Sequence, residues 1–127
     1  MPHLPQRLTS IAAVLGVAAT VSIASAPAAQ AMGCNVAHRD VSGLIATPVY
    51  QDSPLRNGPA DSCGVKGRTV GWAHHPTSFF KHCWVKNDFG NIWWYGSTTT
   101  QHGRQEGWMW NGNLTASTQV EDRYRCF

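Results

Sequence analysis

The sequence predicts an all-β domain, a small antiparallel barrel or sandwich stabilised by two disulfides and preceded by a cleaved export signal. Three observations predict it. Short strand-like runs recur between residues 44 and 126 with Gly, Asn, Asp and Pro between them, the pattern of small barrels and sandwiches. Six Trp, three Tyr, four Phe, twelve Gly and seven Pro, with only 13% charged residues, do not compose a helical bundle rich in Glu, Lys and Leu. Four cysteines follow an N-terminal segment with the features of an export signal.

That segment, residues 1–31, has a basic start carrying Arg7, an apolar run from Ile11 to Ile23, and small residues up to Ala31. As a helix the apolar run is about 20 Å long, short of the roughly 30 Å of a bilayer core, so it is expected to be removed rather than to anchor the chain. Ala29, Gln30 and Ala31 fit a small-x-small cleavage site, with Ala24, Ser25 and Ala26 as an earlier alternative. Removing 31 residues from 127 leaves 96, all of one domain, residues 32–127. A lipoprotein reading, with Cys34 lipidated, is disfavoured because the apolar run ends too early and three cysteines would remain. The mature product is expected outside the cell, free of the membrane and monomeric.

In an oxidising compartment four cysteines form two bridges, for which three pairings exist. Loop-closure entropy scarcely separates them. The position of Cys34 and Cys126 near the two mature ends favours joining them as a clasp, which leaves Cys63 with Cys83 across a candidate hairpin. A zinc site from Cys63, His74, His75, His82 and Cys83 lacks the usual ligand spacing, so no metal or other cofactor is expected.

The strand-like runs are Leu44–Tyr50, Thr69–Ala73, Phe79–Lys86, Asn91–Gly96, Gly107–Trp110 and Thr118–Cys126. Between the third and fourth, Asn87, Asp88, Phe89, Gly90 and Asn91 predict a tight hairpin with glycine at positive φ. Alternation along a strand puts Ile92 and Trp94 on one face and Trp93 and Tyr95 on the other. It likewise sets Trp108 and Trp110 opposite Met109. Six tryptophans are more than a 96-residue core is expected to enclose, so some should line a groove or lie under loops.

Leu55, Arg56, Asn57, Gly58 and Pro59 match the V-R-x-G-P segment of the bacterial SH3-like domains found in exported and cell-wall proteins. Asn91, Ile92, Trp93, Trp94 and Tyr95 match their tryptophan-tyrosine strand, and Gly107, Trp108, Met109 with Leu114 their closing G-W-V and following Leu. From Leu44 to Leu114 the chain thus resembles that family, departing from it between Cys63 and Cys83 and in a tail running to Phe127. The resemblance implies an SH3-like β-barrel of five to seven strands without catalytic function, recognising peptidoglycan peptide or another extended ligand in an aromatic-lined groove. The ligand candidates are Trp93, Tyr95, Trp108 and Trp110, together with Tyr50 and Arg56 near the expected groove. Flat aromatic rings suit both extended peptides and sugars, and Arg56 suits a ligand carboxylate. A surface ion pair of Arg56 with Asp52 or Asp61 is the plainer expectation.

A net charge of +3 with scattered charges does not call for nucleic acid. Catalysis is not expected. There is no G-x-S-x-G elbow, the even cysteine count disfavours a free nucleophile, and Asp88 and Glu106 are accounted for by the turns beside them. His38, His74, His75, His82 and His102 are expected on the surface rather than as bases. The alternatives are a secreted inhibitor or antibacterial protein that inserts a rigid loop, Asp52 to Asp61, into a partner's cleft; a small hydrolase; and a surface protein whose aromatics meet another extracellular protein.

Overall fold

The computed structural model describes residues 16–18, 32–72, 75–115 and 120–127, with the backbone alone for 72, 75 and 76. The cleavage triplets, Ala73, His74 and the start of the Thr118–Cys126 run lie outside these residues. The strands are β1 (Ile45–Ala46), β2 (Pro54–Arg56), β3 (Val65–Arg68), β4 (Gly71–Trp72), β5 (His75–Pro76), β6 (Phe79–Lys86), β7 (Ile92–Thr100) and β8 (Gly103–Trp110). Among the described residues there is no α-helix, only short 3-10 turns at Asn111–Asn113 and Asp122–Tyr124. Six strands form one antiparallel sheet in the order β1-β6-β7-β8-β2-β3, and β4 pairs with β5 apart from it.

The β6–β7 hairpin turns where the sequence places it. Asn87 Oδ1 accepts the N–H groups of Phe89 and Asn91 at 3.1 and 3.0 Å, and Gly90 takes φ +80°. The amide thus does the work of a backbone turn acceptor while glycine supplies the left-handed residue. In β6 the pairing shifts between Lys81 and Cys83, which leaves His82 as an extra residue. Such a bulge resets alternation, so that Phe79 and Trp84 reach one face of the sheet while Cys83 and Val85 reach the other.

Both faces are covered. One core holds Ala46, Leu55, Phe79, Trp84, Trp94, Met109 and Leu114, and the second holds Cys83, Val85, Trp93, Tyr95, Trp108 and Cys126 under Met32 and Val36. Trp84, Trp93, Trp94 and Trp108 are therefore all buried, while Trp110 is left 43% exposed. A sheet sandwiched between two covers has twice the apolar area available to indoles. The second cover is made by the 32–40 segment, whose sequence has no period to announce it.

The expected barrel is not closed. β1 has two residues and β3 four, and these end strands do not form a ladder with each other. Isolated bridges, Pro48 to Leu114 and Thr69 to Thr100, stand where the runs expected from 44 to 50 and from 69 to 73 leave the sheet. Pro48 has no N–H to continue a ladder, and Asp52 sits at φ +62°. The expected C-terminal strand is instead a 3-10 turn followed by a single parallel bridge from Arg125 to Trp84. β2 and β3 fall where a loop and an irregular stretch were expected.

The disulfides join Cys34 to Cys63 and Cys83 to Cys126, which corrects the expected pairing of Cys34 with Cys126 and Cys63 with Cys83. The ends are not clasped to each other. Each is stapled to the sheet. Cys34 lies against Gly58, where any Cβ would collide with the cysteine backbone, so glycine in this loop brings Cys34 to Cys63. At the other end, Cys126 N–H donates to Trp84 O at 3.0 Å, which sets the last turn beside Cys83 on β6.

Candidate functional site

The six ligand candidates are divided among separate places, and three of them come together. Arg56 pairs with Trp108 across β2 and β8, and Tyr95 pairs with Trp108 across β7 and β8. This register places all three on a polar pocket of about 190 Å³, which His38, Asn57 and Lys66 also line. Tyr95 and Trp108 meet edge to face at 5.3 Å. His38, from the segment that covers this face, stacks on Tyr95 with ring centroids 3.5 Å apart. Tyr95 and Trp108 are thus a buried wall rather than an open aromatic platform.

Arg56 is held by the loop that Cys63 closes. Its Nη1 donates to the carbonyls of Asp61 and Cys63 at 2.9 and 3.0 Å, while Nε lies 4.0 Å from Asp61 Oδ1. The Asp61 contact is the ion pair expected for Arg56, and the two carbonyl bonds show that it also braces the loop closed by Cys63. Lys66 Nζ donates to the carbonyl of Glu106, and Tyr95 O–H donates to Glu106 Oε2 at 3.2 Å. Burial first, then the charge of Glu106 and that hydrogen bond, push the Tyr95 hydroxyl up to about 12.

The sign of the resulting pH dependence follows. Above pH 10 an unfolded chain releases this proton while the fold retains it, so the contribution of Tyr95 is whole below pH 10 and is lost as pH rises toward 12. Urea midpoints measured from pH 9 to 12 are expected to fall more steeply for the natural protein than for Tyr95→Phe. Identical profiles would show that Tyr95 does not titrate in this way.

The remaining candidates lie elsewhere. Tyr50, 67% exposed, stands in a cleft of about 480 Å³ with Thr47, Val49, Gln51, Val70 and Thr77. Trp93 is 3% exposed and forms the wall of a further pocket under Phe89. Its indole N–H has no hydrogen-bond partner among the described residues. Trp110 is 43% exposed at the end of β8, its ring lying against Gly112. The Asp52–Asp61 stretch is not a projecting loop, because β2 runs through it and Ser53, Leu55, Gly58, Pro59 and Ala60 are buried.

His38 and Lys66 were not among the candidates. Lys66 sits on the unforeseen β3, and nothing in the 32–40 segment marks His38 as a residue that folds back over Tyr95. All four cysteines are oxidised, which removes Cys63 and Cys83 as thiolate ligands or nucleophiles. No family model matches the chain, and neither a curated protein nor a solved structure matches it.

Proposed function

We propose that the chain is a secreted, non-catalytic SH3-like binding module that takes a cell-wall peptide or glycan in the cleft beside Tyr50. Two disulfides in so small a domain are consistent with an extracellular location. The observation that carries the reading is the cleft itself. Val49, Tyr50 and Val70 expose apolar surface around a volume of about 480 Å³, within the range of ligand sites, while most other large apolar side chains of the described sheet are buried. An extended ligand laid there would cover Tyr50 at little entropic cost, since a tyrosine ring has few rotamers to lose.

Retention of the exported protein on purified peptidoglycan tests the proposal. Tyr50→Ala is expected to weaken retention about tenfold, as the loss of one aromatic anchor does. Trp110→Ala should change it less than about twofold, because that ring lies outside the cleft. Since Tyr50 is on the surface, its removal should leave stability within about 0.5 kcal/mol. No retention at moderate salt, or equal retention of Tyr50→Ala, would refute the reading.

A further inference from the structure

We infer that the pocket between Arg56, Lys66 and His38 is an oxyanion site that takes the carboxylate or phosphate head group of a ligand. The inference does not depend on the Tyr50 cleft. Two permanent cations and a histidine line the pocket, and no acidic residue is among the described side chains that do so. The two neighbouring carboxylates border the pocket through residues that line it and do not line it themselves: Glu106 accepts the Tyr95 hydroxyl, and Asp61, its side chain 91% exposed, lies 4.0 Å from Arg56 Nε.

The guanidinium is also pre-organised. Bonds from Nη1 to two backbone carbonyls fix its plane before any ligand arrives, so the anion need not pay to order it. Its Nε is buried and has no hydrogen-bond acceptor among the described residues. Asn57 and Asn35 line the same hollow, and Lys66 brings to it an ammonium that is tethered to the Glu106 carbonyl. A guanidinium and an ammonium beside asparagine side chains around one polar hollow are the chemistry of charge-assisted oxyanion binding. At about 190 Å³ the pocket is below the roughly 300 Å³ at which sites for drug-sized ligands begin, so it fits one head group rather than a whole ligand.

The test is an NMR titration of the exported protein that follows the ring protons of His38 and Tyr95. Inorganic phosphate and N-acetylalanine are added separately, with sodium chloride at matched ionic strength as the control. A saturable shift with at least one anion, absent with chloride and weakened about tenfold or more in Lys66→Gln, is expected. Arg56→Lys keeps the charge but loses the fork and should weaken binding as well; because Arg56 also braces its loop, Lys66→Gln is the deciding variant. Saturation by phosphate alone assigns a phosphate head group, and saturation by N-acetylalanine alone a carboxylate. Shifts that never saturate with either anion, or binding unchanged in Lys66→Gln, would overturn the inference.

Discussion

Replacing Cys83 and Cys126 together with alanine is expected to cost about 4 kcal/mol and to lower the urea midpoint by roughly two fifths. The bridge spans a sequence separation of 43, and the loop-closure entropy that it removes from the unfolded chain is worth about that much. At roughly 0.1 kcal/mol per residue, 96 residues have a net stability of about 10 kcal/mol, so one bridge supplies a large share of it. Cys83 and Cys126 are also members of the second core, and the pair removes apolar sulfur from between Val85, Trp93 and Trp108. Cys34→Ala with Cys63→Ala removes a bridge over a shorter separation of 29 and should cost about 3.6 kcal/mol by the same entropy alone. Urea midpoints of the two double variants measure both costs. A nonreducing digest checks the pairing itself: peptides carrying Cys34 and Cys63 should be released joined, and a Cys34–Cys126 peptide would refute the arrangement.

That pairing was beyond reach of the sequence for a physical reason. Loop entropy is nearly equal for the rival connectivities, so the choice depends on which backbones touch, and the contact of Cys34 with Gly58 is a long-range product of the fold. The β6–β7 hairpin was legible because Asn87 and Gly90 act locally. β3 was not legible, because Gly67 occupies the inward position where an apolar residue would have signalled a strand. A side chain there would run into Gln105 and Thr100. The ion pair of Arg56 with Asp61 could be anticipated from residue types close together in the sequence. The neighbours of Arg56 in the pocket could not, since Lys66 and His38 come beside it through a bulged β2–β3 pairing and through a cover segment without periodicity. The alternation of Trp93 with Tyr95 was read correctly as a shared face, but the residues that would bury that face were not visible.

Trp94→Ala should be the most damaging single substitution, at about 3 to 5 kcal/mol. The ring is fully buried with Phe79, Trp84 and Met109, and its Nε1–H donates to Asn111 Oδ1 at 3.0 Å. It also lies under the Lys81 ammonium, 4.5 Å from the ring centroid. Lys81 is 1% exposed, and burial holds its pKa below the ordinary 10.5. The cost of burying that charge is therefore full below the folded pKa and is relieved as pH rises toward 10.5, where the unfolded chain also gives up its proton. The indole face offsets part of this cost only while Lys81 is charged. Trp94→Ala should accordingly lose about 1 kcal/mol more at a low pH, where Lys81 keeps its proton, than near pH 11, a difference read from urea midpoints of variant and parent at each pH. Trp94→Phe, which keeps a ring under Lys81 but not the Asn111 bond, should cost about 1 to 2 kcal/mol and show less of the pH dependence. An equal penalty for Trp94→Ala at both pH values would mean that packing alone, and not the lysine charge, makes this indole necessary.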